Sequence, residues 1–192
     1  MQTKTGLQER AMALELVPLT TCDRETQMAL RDIRNHPDVR RFMYSDHSLT
    51  VEEHEDWLDS QSSRPSNANY LALRDGSIAG MAGLIGIDPD NRHAEWGFYV
   101  TPAMRGQGLG LAMLFKLLDI AFRDYPLDKI NAEVIADNDA SLAIHRQLGF
   151  VIEGRRRRHK MREGVAVDAI LYGITRLEWE TARKELVNAM GQ

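Results

Sequence analysis

The chain has 192 residues, 43% hydrophobic and 27% charged, with a formal net charge of −4. That length fits one domain with a proper core, and the composition excludes a disordered chain. The acidic balance makes no general call for nucleic acid. No apolar run reaches the length of a membrane span, and the single cysteine, Cys22, excludes an internal disulfide, so a reducing, cytoplasmic setting is the default expectation.

Residues 1–11 are polar, lack the apolar stretch of a signal peptide and read as a disordered leader to a single domain over 12–192. Leu14 to Leu19 alternates as a first strand. Asp23 is placed to cap a helix reaching Ile33, and Arg34-Asn35-His36-Pro37 breaks it. Thr50 and Glu53 form a capping box for a helix running to about Ser62, with Trp57 and Leu58 inward. Tyr70 to Arg74 and Ser77 to Ile87 pair as a hairpin across Asp75-Gly76. Ala94 to Val100 is the next strand. Leu109 to Arg123 is a helix apolar nearly all round, which packs into the core. A strand at Lys129 to Ala136, a helix at Ala140 to Leu148, strands at Phe150 to Arg157 and Val165 to Ile174, and a helix at Leu177 to Met190 complete the chain. The order predicts an α/β (α+β) domain, a mixed sheet of about seven strands flanked by helices.

Arg105-Gly106-Gln107-Gly108-Leu109-Gly110 joins strand to main helix. Its glycines admit a ligand close to the backbone, the first helical turn offers unpaired N–H groups, and Arg105 adds positive charge. A pyrophosphate suits such a place. The loop lacks the Lys-Ser/Thr ending of a Walker loop and the spacing of a dinucleotide fingerprint.

These residues match the acetyl-CoA signature Arg/Gln-x-x-Gly-x-Gly/Ala, and Asn138 to Phe150 resembles the second conserved segment of the same family. The chain is therefore identified as resembling the GNAT N-acetyltransferases over about Leu14 to Trp179. The resemblance implies a twisted sheet splayed between its fourth and fifth strands. Pantetheine would lie along the backbone of Phe98, Tyr99 and Val100, with acetyl-CoA as co-substrate and no metal. It also implies an N–H near Phe98 or Tyr99 for the oxyanion, and an Asn138 contact with pantetheine or substrate. As a residue, Asn138 is equally an N-cap. Gly97 marks either a bulge or close packing.

Glu95 and Glu133 are the candidate bases, or else salt-bridged strand carboxylates. His145 stands where the family usually has an acid tyrosine. It either donates the proton to the leaving thiolate or is a surface residue. The block from Arg34 to His54 resembles the amino-sugar N-acetyltransferases of pseudaminic acid synthesis, which acetylate a UDP-linked 4-amino-4,6-dideoxy sugar. That implies Arg34, Asn35, Met43, Tyr44 and His47 as acceptor-binding residues, with Arg34 on the diphosphate. As plain sequence the block is a helix end and a polar loop. Acceptors of the ribosomal-protein N-terminal or polyamine kind remain open, the latter because of Asp46, Glu52, Glu53, Glu55, Asp56 and Asp59. A non-catalytic acyl-CoA-binding module also remains open. Arg155 to Lys160 with Arg162 reads as a solvated hairpin tip or as phosphate contacts, rather than a nucleic-acid patch. Ile170, Leu171 and Trp179 offer either a homodimer seam or core.

Overall fold

The computed structural model describes residues 5–162 and 164–188. One sheet of seven strands runs through it: β1 (Leu14–Pro18), β2 (Ala68–Arg74), β3 (Ser77–Asp88), β4 (His93–Val100), β5 (Lys129–Ile135), β6 (Val151–Arg162) and β7 (Val165–Thr175), in the spatial order β1-β2-β3-β4-β5-β7-β6. All neighbours are antiparallel except β4 and β5. That parallel pair is three residues long, His93 to Glu95 against Lys129 to Asn131, and beyond it the strands part. The expected splay is therefore present, rooted at Glu95.

Helices cover both faces. On one side α5 (Leu109–Asp124), whose Ala112, Leu114, Leu117, Leu118 and Ala121 are fully buried, is the spine of the larger core, with α6 (Asp139–Gln147) and α7 (Arg176–Asn188). On the other, Leu30 of α2 (Arg24–Asn35) and Leu58 of α4 (Val51–Gln61) meet Leu19 and Leu71 in a smaller cluster. The sequence signals behave as read. Asp23 accepts from Thr26 N–H at 2.8 Å, and both bonds of the Thr50–Glu53 capping box form. Asp75 and Gly76 take φ of 50° and 75°, the left-handed pair that a two-residue hairpin turn requires.

One expectation is corrected and two details are added. Residues 5–11, read as disordered, belong to a helix α1 (Thr5–Met12) that buries Leu7 and Ala11, and Lys116 Nζ donates to the Ala11 carbonyl at 3.0 Å. Residues 1–4 and the end of the last helix at 189–190 lie outside the described residues. A one-turn helix α3 (Pro37–Arg40) follows the predicted break, started by Pro37. Of the two readings of Trp179, core holds: it is 2% exposed, packs edge-on to Phe115 and donates to Asp119 at 3.1 Å. Among the described residues no helix is long and apolar enough to cross a membrane.

Candidate active site

Where β4 and β5 part, a cleft of about 860 Å³ opens between them, the start of α5, α6 and the loop after α3. The backbone of β4 decides what this cleft offers. Thr101 N–H donates to Ala79 O at 2.9 Å, and the β3–β4 register is continuous from Glu95 to Val100. With a period of two, the polar groups of Gly97, Tyr99 and Thr101 address β3. Those of Phe98 and Val100 face the gap that β5 has left. Tyr99, expected to present its backbone to a ligand, is thus corrected: its amide belongs to the β3 ladder and its buried side chain turns to the opposite face. Gly97 carries no bulge. The irregularity lies in β3 between Ile85 and Asp88, beside Gly86 at φ +61°.

The glycine loop is built for close approach. Gly106 and Gly108 take φ of 75° and 74°, and Gly108 caps α5 without any side-chain cap, so the first-turn amides open on the cleft beside Leu109. Gly110 is needed for packing: a Cβ there would sit 3.1 Å from Ile144 Cδ1 and 3.4 Å from Val100 Cγ2. Arg105 lines the cleft, but its guanidinium donates to Asp38 O at 3.0 Å, tying α3 to the loop. Gln107 points away and accepts from Arg74 at 2.6 Å. Asn138 lines the cleft and caps α6, accepting from Ser141 N–H at 3.2 Å.

Glu95 and Glu133 lie on the same face of opposite walls, and they differ sharply. Glu95 is exposed to the cleft and has no side-chain partner among the described residues. Glu133 has a 17% exposed side chain and accepts a hydrogen bond from Arg156; His159 Nε2 lies 3.2 Å from its Oε1, which has no hydrogen-bond partner among the described residues. A bulge in β6 delivers both residues. The register jumps from Arg156 opposite Ala169 to Lys160 opposite Val167, with Arg158 at φ +50°. Asp168 holds the bulge, accepting from Arg158 N–H at 2.7 Å and Arg155 at 2.6 Å. These bonds keep its carboxyl below the ordinary range.

His145 is corrected as a proton donor. It is 1% exposed, and both ring nitrogens are engaged. Trp96 Nε1–H donates to Nε2 at 3.1 Å, which places the ring proton on Nδ1, 2.8 Å from Ser141 O. Burial lowers its pKa to about 4, so the ring is neutral and holds no proton aimed at the cleft.

The acceptor residues divide. Arg34, Met43 and Tyr44 line the cleft, whereas Asn35 and His47 do not. Asn35 clamps Leu49, donating to its carbonyl at 2.9 Å and accepting from its N–H at 2.8 Å. His47 pairs with Glu53 at 2.8 Å. Arg34 donates through Nη2 to Ser45 O at 2.9 Å, but its Nη1 is buried with no partner among the described residues. Burial lowers its pKa accordingly. Around the mouth, Arg41 and Arg162 lie 4.6 and 5.6 Å from the Phe42 ring, and Lys160 lies 5.0 Å from that of Tyr44. Sequence reasoning missed the site roles of Phe42, Arg41 and Arg156, because no spacing links the arginine run to the aromatic block. The acidic residues that suggested a polyamine are largely occupied: Glu55 and Asp59 by Arg24, Asp46 by Arg40, Glu53 by the helix cap and His47.

A glycine loop at a helix start, set at the mouth of a split parallel pair, suits a phosphorylated ligand. Residues 13–151 match the acetyltransferase (GNAT) domain, so the chain belongs to the GNAT acetyltransferase family, acyltransferase enzymes that use acetyl-CoA. It is similar to a putative ribosomal N-acetyltransferase, YdaF, of Bacillus subtilis: 32% identical over 108 residues, 56% of this chain and 59% of that one. It is also similar to acetyltransferase PseH of Campylobacter jejuni, 28% identical over 119 residues, 62% of this chain and 73% of that one. A solved spermidine N-acetyltransferase from Vibrio cholerae, in complex with CoA and spermine, shares the fold with a TM-score of 0.82 at 19% identity, covering 88% of this chain and 99% of the other.

Proposed function

We propose that the protein acetylates an amine on an anionic acceptor, the 4-amino group of a nucleotide-linked amino-dideoxy sugar of the pseudaminic acid type, with both substrates bound together. Bound acetyl-CoA supplies the activated acetyl group. The first-turn amides of α5 and the loop at Gly106 and Gly108 receive its pyrophosphate. Phe98 and Val100 offer their unpaired backbone groups to the pantetheine, and Phe98 N–H polarises the thioester carbonyl. Glu95, the carboxylate without a partner, takes the proton from the amine directly or through one water. Solvent returns a proton to the departing thiolate.

The observation that carries the acceptor class is the orphan Nη1 of Arg34, a buried guanidinium nitrogen in the cleft that calls for an anion. Arg41, which lines the same cleft, and Lys160 and Arg162 over the aromatic rings add positive charge at the aromatic side of the mouth, while Glu95, Glu133, Asp137 and Asp139 line the rest of the cleft. The cations on that side suit a diphosphate. The likeness to PseH and the resemblance of the Arg34 to His54 block support the same acceptor.

The test is thiol release from acetyl-CoA with the UDP-linked 4-amino sugar, spermidine and a ribosomal-protein N-terminal peptide in parallel. The sugar nucleotide is expected to give the highest kcat/KM. A larger value for spermidine or for the peptide overturns the acceptor reading, as does absence of turnover with the sugar nucleotide.

A further inference from the structure

We infer that His145 is a positioning residue, a clasp that holds the two halves of the split sheet at the width the cleft requires. Trp96 is the first residue of β4 beyond its last pairing with β5, and it belongs to the β1–β4 half. His145, on α6, belongs to the other half: its ring stacks on Tyr172 of β7, centroids 5.1 Å apart and 24° between planes. The single hydrogen bond from Trp96 Nε1 to His145 Nε2 therefore crosses the fork just above its root. The Nδ1 bond to Ser141 O, one turn back on α6, fixes the ring so that Nε2 must accept.

The surroundings make the bond count. Trp96 and Phe98 face the imidazole from β4, Phe150 from beyond α6 and Tyr172 from β7, with no charged group in contact among the described residues. In so apolar a setting, losing one partner orphans the other. Trp96 also stacks on Phe150, centroids 4.8 Å apart, so the clasp is braced on both sides. The next β4 residue with free backbone groups is Phe98. Its distance from β5 is the width open to a pantetheine arm, and the clasp sets that width.

Glutamine is close in shape to histidine through Nε2, and asparagine only through Nδ1. His145→Asn and Trp96→Phe are expected to weaken CoA binding by about tenfold, the effect of one orphaned buried partner. His145→Gln, which keeps an acceptor for Trp96, is expected to restore affinity to within about threefold of the parent. Isothermal calorimetry with CoA reads this, and thermal melting separates it from general loss of stability. Lower melting temperatures with unchanged CoA affinity in both damaging variants overturn the clasp, as does a Gln variant as weak as the Asn variant. The reading rests on CoA as the occupant of the cleft. Hydrogen exchange without ligand decides it separately: the protected amides of Gly97, Tyr99 and Thr101, which bond β3, and those of α6 must exchange faster in His145→Asn and Trp96→Phe. Failure of the parent to bind CoA counts against the donor assignment, and unchanged exchange counts against the clasp.

Discussion

Two glutamates on facing strands look alike in a sequence and are unlike in the molecule. Glu95 stands bare in the cleft, whereas Arg156 holds Glu133 and His159 lies beside it. Glu95→Gln is expected to lower kcat by about 10²- to 10⁴-fold with KM for acetyl-CoA unchanged, the range for a positioned base. Steady-state kinetics checks this, and a loss under threefold would exclude Glu95 as the base. Alternation set Glu95 on one face of its strand, and the family resemblance put the strands of both carboxylates beside the cleft. Neither could tell them apart, because the partner of Glu133 arrives through a bulge in another strand. Asn35 and His47 teach a similar lesson. A short polar side chain near a helix end often satisfies the nearest backbone, and Asn35 does so at Leu49.

Elements with their own local chemistry were legible to within about two residues. The Asp23 cap, the Thr50 box and the Asp75-Gly76 turn each carry a start or stop signal, and each stands where it was read. Helix α1 was not legible, because Leu7 and Ala11, its buried residues among those described, are a single i, i+4 pair in a polar stretch, too little to mark a helix. The bulge in β6 was hidden for another reason: four consecutive arginines have no alternation to break. Helix α5 shows how tightly an element can be fitted. Gly110→Val adds a branch where a Cβ already meets Ile144 at 3.1 Å and Val100 at 3.4 Å. It is expected to lower stability by about 1–3 kcal/mol and to weaken CoA binding as α5 moves off β4. Urea unfolding and calorimetry measure the two effects, and a neutral result in both would show that α6 yields freely.

At the scale of the molecule, acid stability follows from one buried ring. The pKa of His145 falls from 6.5 to about 4 because burial penalises the charged form. Below pH 6.5 the unfolded chain takes up a proton that the native state refuses until about pH 4. Its contribution to stability is therefore complete above 6.5, falls through that window and levels off below 4. The loss approaches roughly 3 kcal/mol. His145→Gln is expected to flatten this part of the stability curve. Urea midpoints between pH 4 and 7 for parent and variant give the difference, and parallel slopes would refute it. The splay itself was not legible from residues. A parallel seam of three pairs leaves no local pattern, and only the family resemblance implied it.

That seam has a mechanical meaning. Three rungs, His93 to Glu95 on Lys129 to Asn131, stitch one plate of four strands to another of three. Past them the peptide groups of Phe98 and Val100 are left as rungs without a rail. A guest laid in the fork supplies the rail and completes a sheet that the polypeptide alone leaves unfinished, so the loaded molecule is the stiffer one.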